Sequence, residues 1–285
     1  VFFQWFTLVK HRLKDIRLIV IDIDGTLVDT RGRVGEKARA LAGELKKHKI
    51  FSTLSSARSY YYSAHIAEEM GIELPIITLD GALIKSQAAV VYKGIVPEFI
   101  ISRAVEAAHR NYGKIGLCGE HNLYVDRSNS LIKDSTRLSA PVKEVESYQR
   151  VREVLEILIY CEDKASLHSI RDSFKFPYNL FVYVSVTKSP NNEYYLVTIK
   201  KKGSDKLSSL KRLVHHLGLK RKNVAVIGDW HNDMPLFEYG GFNIAVQNAI
   251  PELKRKADYI THFTNNEDAV GEVLEMVYKE RVKTE

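Results

Sequence analysis

The chain has 285 residues, 45% of them hydrophobic and 27% charged, with only 7 Pro. That composition supplies one large core or two ordinary ones and excludes a largely disordered or fibrous chain. No apolar run approaches the roughly 20 residues that a spanning helix needs, and the net charge of 42 − 35 = +7 favours anionic partners, from nucleic acids to phosphorylated metabolites.

The two cysteines, Cys118 and Cys161, are far apart and form no CxxC, which argues against a disulfide scaffold or thiolate zinc site and for a reducing cytoplasm. Basic residues fall in short clusters: Lys46-Lys47, Lys200-Lys201-Lys202, Lys220-Arg221-Lys222 and Lys254-Arg255-Lys256. Lying where elements start or end, they read as solvated faces and not as a nucleic-acid track. The apolar opening, residues 1–9, precedes its charges and lacks a small-residue cleavage site, so it reads as an extension packed on the body.

Arg17 to Ile23 is an apolar run ending in acids, the pattern of a strand buried on both faces. Val34, Ala38, Leu41, Ala42 and Leu45 then share one helical face. Ile50 to Leu54 reads as a strand, Tyr60 to Met70 as a helix and Ile76 to Leu79 as a third strand. This alternation predicts a parallel, doubly wound α/β sheet. The middle reads differently: strands around a turn at Lys85-Ser86-Gln87, a helix from Glu98 to Arg110, strands at Lys114–Cys118 and Leu123–Val125, a strand from Leu155 to Cys161, a helix from Lys164 to Phe174, and strands Leu180–Thr187 and Tyr194–Ile199. Such pairs of strands interrupted by helices predict a separate α+β unit. From Ser204 the α/β pattern resumes. Ser204 is placed to N-cap a helix with Leu207, Leu210, Val214 and Leu217 on one face and Gly218 at its end. Val224–Ile227 and Phe242–Val246 follow as strands, and Pro251 opens a short helix. The expected division is an α/β core over 1–81 and 200–285 with an α+β cap inserted at 82–199.

The strongest chemical signal is Asp22-Ile23-Asp24-Gly25-Thr26-Leu27, directly after a buried strand. In an open α/β sheet, ligands sit beyond the carboxyl ends of the strands. Acids held there repay their burial by binding a cation, and hard oxygen ligands suit Mg²⁺. A second run, Val224 to Gly228, leads into Asp229-Trp230-His231-Asn232-Asp233, so Asp22, Asp24, Asp229 and Asp233 are candidates to converge on one ion. A phosphate bridged to that ion needs counter-charges and donors. Ser55-Ser56-Ala57-Arg58 ends the second strand and offers a hydroxyl and the N–H groups of a helix start, and Lys206 lies in the first turn after Gly203.

In this order the four pieces resemble the haloacid dehalogenase superfamily of aspartyl-phosphate hydrolases, over nearly the whole chain from about Arg17 to Val277. DxDGTL with GDxxND is highly specific; the Ser and Lys elements are weak alone. The insertion resembles the C2 cap of Cof-type sugar phosphatases. The resemblance implies a cytoplasmic, Mg²⁺-dependent phosphomonoesterase acting on a small phosphorylated metabolite, with a sugar phosphate expected. It makes Asp22 the nucleophile and Asp24 the general acid/base, with Asp22, the Asp24 carbonyl and Asp229 holding Mg²⁺. Ser56 and Lys206 bind the phosphoryl group, and Asn232 and Asp233 order the surrounding shell. Ala57, Arg58, Asp80 and Gly81 are carried over to the substrate side. Other readings are a phosphoglycolate, sucrose-phosphate or mannosyl-phosphoglycerate phosphatase, a phosphomutase, or, in a different class, a non-hydrolytic phosphate or nucleic-acid binding module. Three positions depart from the Cof pattern: Ser56-Ala57-Arg58 replaces Thr-Gly-Arg, Asp80-Gly81-Ala82 replaces Asn-Gly-Ala, and Trp230-His231 is bulkier than usual. An anionic Asp80 near a phosphate needs an offset, either substrate hydroxyls or a partner such as Arg58, and it is expected to select polyhydroxylated substrates.

Overall fold

A computed structural model describes residues 12–127, 140–188 and 193–282. Its main sheet is built from β1 (Leu18–Ile21), β2 (Phe51–Leu54), β12 (Val224–Gly228), β13 (Phe242–Ala245) and β14 (Tyr259–Ile260), in the order β14-β13-β12-β1-β2. Every pairing in it is parallel. β1 and β12 are buried along their whole length, as strands sandwiched between helical layers must be. The register matters most for function: Ile21 stands level with Ile227 on one side and Leu54 on the other, so Asp22, Ser55 and Gly228 emerge side by side at one edge. The Asp22 N–H donates to Ile227 O at 3.1 Å and Ser55 N–H to Ile21 O at 2.9 Å, extending the ladder one residue into the site.

Helix α1 (Glu36–Lys47) buries Ala38, Ala42 and Leu45, as the periodicity predicts, and packs beside α8 (Ala269–Arg281) on one side of the sheet. α2 (Tyr60–Glu69) is N-capped by Ser59. β3 (Ile76–Thr78) meets the end of β2 through a parallel Ser55–Ile77 bridge, and pairs antiparallel with β4 (Leu83–Lys85), which pairs with β5 (Val90–Lys93).

The inserted α+β unit carries α3 (Glu98–Arg110), β6 (Lys114–Cys118), β7 (Leu123–Val125), β8 (Val142–Glu144), β9 (Glu156–Cys161), α4 (Lys164–Asp172), β10 (Val182–Lys188) and β11 (Tyr195–Lys201). Its strands form a mixed sheet in the order β10-β11-β9-β6-β7-β8. One face, with Ile115, Leu117, Ile157, Ile159, Val197 and Ile199, packs in a cluster with Ile100 and Ala104 of α3 and Ile170 of α4. The opposite face sets Cys118, Leu158, Tyr160 and Leu196 in one cluster with Leu79, Ala82 and Leu83, which join the two units.

Two expectations need correction. Ser204 does not cap α5 (Lys206–His216): Asp205 does, accepting from Ser208 N–H at 2.8 Å, because the Ser204 hydroxyl is turned inward against Tyr92 Oη at 2.9 Å. The Lys200-Lys201-Lys202 cluster is not a uniformly solvated face either. Lys200 is 5% exposed at the joint between the units, where its Nζ meets the Leu79 and Asp80 carbonyls, while Lys201 ends the strand and, like Lys202 beyond it, is exposed. The expected packing of the apolar opening falls outside the described residues.

Candidate active site

The first acidic motif leaves β1 at Asp22 and bends at Gly25, whose φ is +79°. A side chain at Gly25 would collide with the Asp229 carboxylate, so the turn and the close approach both require glycine. Thr26 then donates from Oγ1 to Asp229 Oδ1 at 2.8 Å. Thr26 is 1% exposed and had no role in the sequence reading, although its place in the DxDGTL run was the available signal.

Asp22, Asp229 and Asp233 are buried, with one carboxylate oxygen of each within 4.8 Å of the others. Lys206 enters from the first position of α5, and its Nζ donates to Asp22 Oδ1 and to Asp233 Oδ1, both at 2.7 Å. An ammonium at a helix N-terminus opposes the helix dipole; here the two carboxylates outweigh that cost. Asp233 is fixed further by the N–H groups of Asp229 (3.1 Å) and Trp230 (3.3 Å), both donating to Oδ2. The buried stripe of α5 is Lys206, Ser209, Leu210, Leu213 and Val214, with Leu207 and Leu217 flanking it half-buried. The lysine is therefore part of the inward face of its helix.

The electrostatics follow from this crowding. Burial, reinforced by Asp233, holds the Asp22 carboxyl well above the ordinary range, with Lys206 pulling the other way. Burial likewise pushes Asp229 up to about 6, opposed by the Thr26 hydrogen bond. For Lys206, burial alone would lower the pKa, but Asp22, Asp233 and Asp80 prevail and hold the ammonium above its usual value. Three buried acids against one ammonium leave an excess of negative charge, and hard carboxylate oxygens at this spacing suit a divalent cation such as Mg²⁺. The donor set fits the metal.

The Asp24 carboxylate stands apart from that cluster. It is half-exposed and held by the guanidinium of Arg58, Nε to Oδ2 at 2.9 Å and the terminal nitrogen to Oδ1 at 2.8 Å. Arg58 also lies 4.9 Å from the centre of the Tyr62 ring. Arg58, carried over to the substrate side, thus forms a two-pronged ion pair with Asp24. Ser56 is 1% exposed at the end of β2, and its Oγ accepts from Arg58 N–H at 3.1 Å; Ala57 between them is half-buried.

Asp80 and Gly81 occupy a tight turn after β3. Asp80 has φ 47° and ψ 37°, and its Oδ1 accepts from Asn232 Nδ2 at 3.4 Å. Gly81 (φ +100°) is pressed against the backbone of Asp205 and Lys206, where any side chain would clash, and its carbonyl accepts from Ser209 Oγ at 2.7 Å. Gly81 thereby seats the helix start that carries Lys206. Trp230, His231 and Asn232 are exposed beside the cluster. Every residue singled out in the sequence lies on the loops at this edge of the sheet or on the first turn of α5.

Residues 19–274 match the family model described as haloacid dehalogenase-like hydrolase. A Streptococcus pyogenes relative named for both a phosphatase and a peptidyl-prolyl cis-trans isomerase is 27% identical over 256 residues, taking 89% of this chain but only 52% of that longer protein. The phosphoglycolate phosphatase of Methanothermobacter thermautotrophicus is 26% identical over 88% of this chain and 95% of its own. The Bacillus subtilis 5-amino-6-(5-phospho-D-ribitylamino)uracil phosphatase YitU is 22% identical, over 90% of this chain and 96% of its own. Among solved structures, a haloacid dehalogenase-like hydrolase from Bacteroides thetaiotaomicron superposes with a TM-score of 0.79 at 25% identity, covering 92% of this chain and 99% of that one. By sequence, fold and inserted cap together, the chain belongs to the haloacid dehalogenase-like hydrolases, in their Cof-type, capped branch.

Proposed function

We propose that this phosphatase of the haloacid dehalogenase superfamily hydrolyses a small phosphorylated metabolite, a sugar phosphate or similarly hydroxylated ester, through a phosphoenzyme formed on Asp22. The observation that carries the reading is the buried cluster of Asp22, Asp229 and Asp233 joined by Lys206 at the carboxyl end of a parallel sheet. Purely structural ion pairs do not need a third acid, a strained glycine turn and a helix start packed around them. Relatives named as phosphatases of phosphoglycolate and of a phosphoribitylamino compound support the class of small phosphate esters. Both cysteines are free and buried, which supports a reducing, cytoplasmic setting.

In this mechanism Asp22, Asp229 and Asp233 would hold Mg²⁺, which when bound would supply positive charge against the phosphoryl oxygens. Lys206 aligns the Asp22 carboxylate and adds the second cationic group. An Asp22 oxygen attacks phosphorus, the ester P–O bond breaks, and the leaving oxygen takes a proton from Asp24. The Asp24 carboxylate then accepts a proton from water, whose oxygen attacks the same phosphorus. The acyl–phosphate bond breaks, inorganic phosphate leaves and Asp22 is regenerated. Arg58 orients Asp24 through its two-pronged ion pair. Hydrolysis of p-nitrophenyl phosphate, stimulated by Mg²⁺ and suppressed by chelator, tests the reading. Asp22→Asn keeps the shape of the side chain but removes the nucleophile, so turnover is expected to vanish with the circular dichroism spectrum unchanged. A tenth or more of wild-type turnover in that variant would falsify the assignment.

A further inference from the structure

The turn that carries Asp80 is held from the far side by the cap. Leu79 and Asp80 are consecutive non-glycine residues with positive φ, 50° and 47°. Such conformations are unfavourable for residues with a side chain and persist only where their surroundings hold them. From the core side, Leu79 N–H donates to Arg58 O and Asp80 N–H to Ser56 O, both at 3.0 Å, so the turn is tied to the loop bearing Ser56 and Arg58. From the cap side comes Lys200, on the last strand before the chain re-enters the core. Its Nζ donates to the main-chain carbonyls of Asp80 at 3.3 Å and Leu79 at 3.5 Å. Those carbonyls point towards the cap because of the left-handed backbone. The buried Glu156 stands opposite Lys200 in register on β9, on the same sheet face.

We infer that Lys200 is a positioning residue: it fixes the Leu79–Asp80 turn from the cap, and so sets where the Asp80 carboxylate stands at the mouth and which substrates the site accepts. A buried ammonium bonded to two carbonyls in one turn is not explained by strand stability, which an apolar residue at this position would serve as well. Asp80 Oδ1 accepts from Asn232 Nδ2 at 3.4 Å, so the turn also sets where that exposed pair stands at the mouth. Lys200 thus makes the orientation of the cap part of the specificity of the core. The inference rests on the phosphatase reading for its kinetic consequences, but its structural consequence does not.

The test uses the full chain as wild type, Lys200→Met and Lys200→Arg, and Lys200→Met in an Asp80→Ala background. Amide hydrogen exchange over residues 79–82 is expected to accelerate roughly tenfold in Lys200→Met, the scale of one lost hydrogen bond to a charged group, and to return towards wild type in Lys200→Arg. With a hexose phosphate and p-nitrophenyl phosphate as substrates, Lys200→Met is expected to raise KM for the hexose phosphate roughly tenfold, with kcat and the p-nitrophenyl phosphate kinetics little changed. In the Asp80→Ala background the same substitution is expected to leave the ratio of the two substrates unaltered, because the carboxylate it positions is gone. Unchanged exchange in the turn, or equal losses for both substrates, would overturn the inference. Unfolding of both Lys200→Met and Lys200→Arg would also overturn it, since Lys200 would then be a general core residue. A wild type that hydrolyses neither substrate would reject the phosphatase reading alone, leaving the exchange experiment to decide on Lys200.

Discussion

Replacing Lys206 by Met removes the ammonium from between Asp22 and Asp233 while keeping an unbranched side chain of similar length. In the native protein Lys206 is 2% exposed, Asp22 6% and Asp233 0%, so water cannot take over its part. With carboxylate oxygens within 4.8 Å of each other, each ionised pair repels by about 3 kcal/mol at an effective dielectric near 20. Breaking a buried ion pair by deleting one partner typically costs about 3–5 kcal/mol. Lys206→Met is therefore expected to lose about that much stability when divalent cations are chelated, measured by urea denaturation followed by circular dichroism. Two controls separate charge from packing. Saturating Mg²⁺ should recover part of the loss, since a ligand at a hundred times its Kd stabilises by about 2.7 kcal/mol. Adding Asp22→Asn should also recover part of it, because one of the repelling charges disappears. A variant as stable as wild type in chelator, or one that neither control improves, would show that the acids do not depend on Lys206 for compensation.

Asp24→Asn leaves the metal cluster untouched and is expected to slow single-turnover phosphoryl transfer from a sugar phosphate by about 10²–10⁴-fold. The loss should be smaller with p-nitrophenyl phosphate, whose leaving group needs less protonation; equal losses would take the acid role from Asp24. A pH effect is expected at Glu120, which bridges the core hairpin and the cap by pairing with Lys85 and with Lys93 Nζ at 2.7 Å. Burial would raise its pKa, but the bonds from Lys85 and Lys93 outweigh it and hold the carboxyl down to about 2, from an ordinary 4.5. A depressed folded-state pKa stabilises the fold above the unfolded value, and that contribution is lost as pH falls from about 4.5 towards 2. After allowance for solvent screening it is worth about 1–2 kcal/mol. Glu120→Gln should flatten the acid limb of the stability curve, and an acid limb identical to wild type would count against the bridge.

The sequence makes the centre of the site legible because few physical arrangements are compatible with it. An apolar run that ends in acids must be a buried strand ending at a mouth, and two such runs in parallel register bring Asp22 and Asp229 together. Helix α3, read as Glu98 to Arg110, keeps those limits because its apolar stripe is uninterrupted between a proline and an asparagine. Short exposed strands escape the same logic. β8 has three residues, all exposed, and β14 is only two residues long, so neither shows alternation over a useful length. The hairpin β4–β5 reads as part of the inserted unit because it follows the third core strand, yet its pairing is with that strand.

What stays hidden in the sequence is which of several similar groups wins a contact. Arg58 is close in sequence to Ser56 and reads as a substrate-side cation; the chain folds so that its planar fork meets Asp24, 34 residues earlier. At the start of α5, Ser204 and Asp205 are both competent caps, and the choice falls to Asp205 because Tyr92, more than a hundred residues away, occupies the serine hydroxyl. Lys200, Lys201 and Lys202 are chemically equal in the sequence, and only the contact of Lys200 with the distant Leu79–Asp80 turn makes one of them a buried donor. In each case the local pattern supplies the candidates, and a contact distant in sequence selects among them. Catalytic chemistry, concentrated in strand-end motifs, can therefore be read early. Residues that orient it, such as Ser209 and Lys200, become visible only when the two halves of the core close around the insertion.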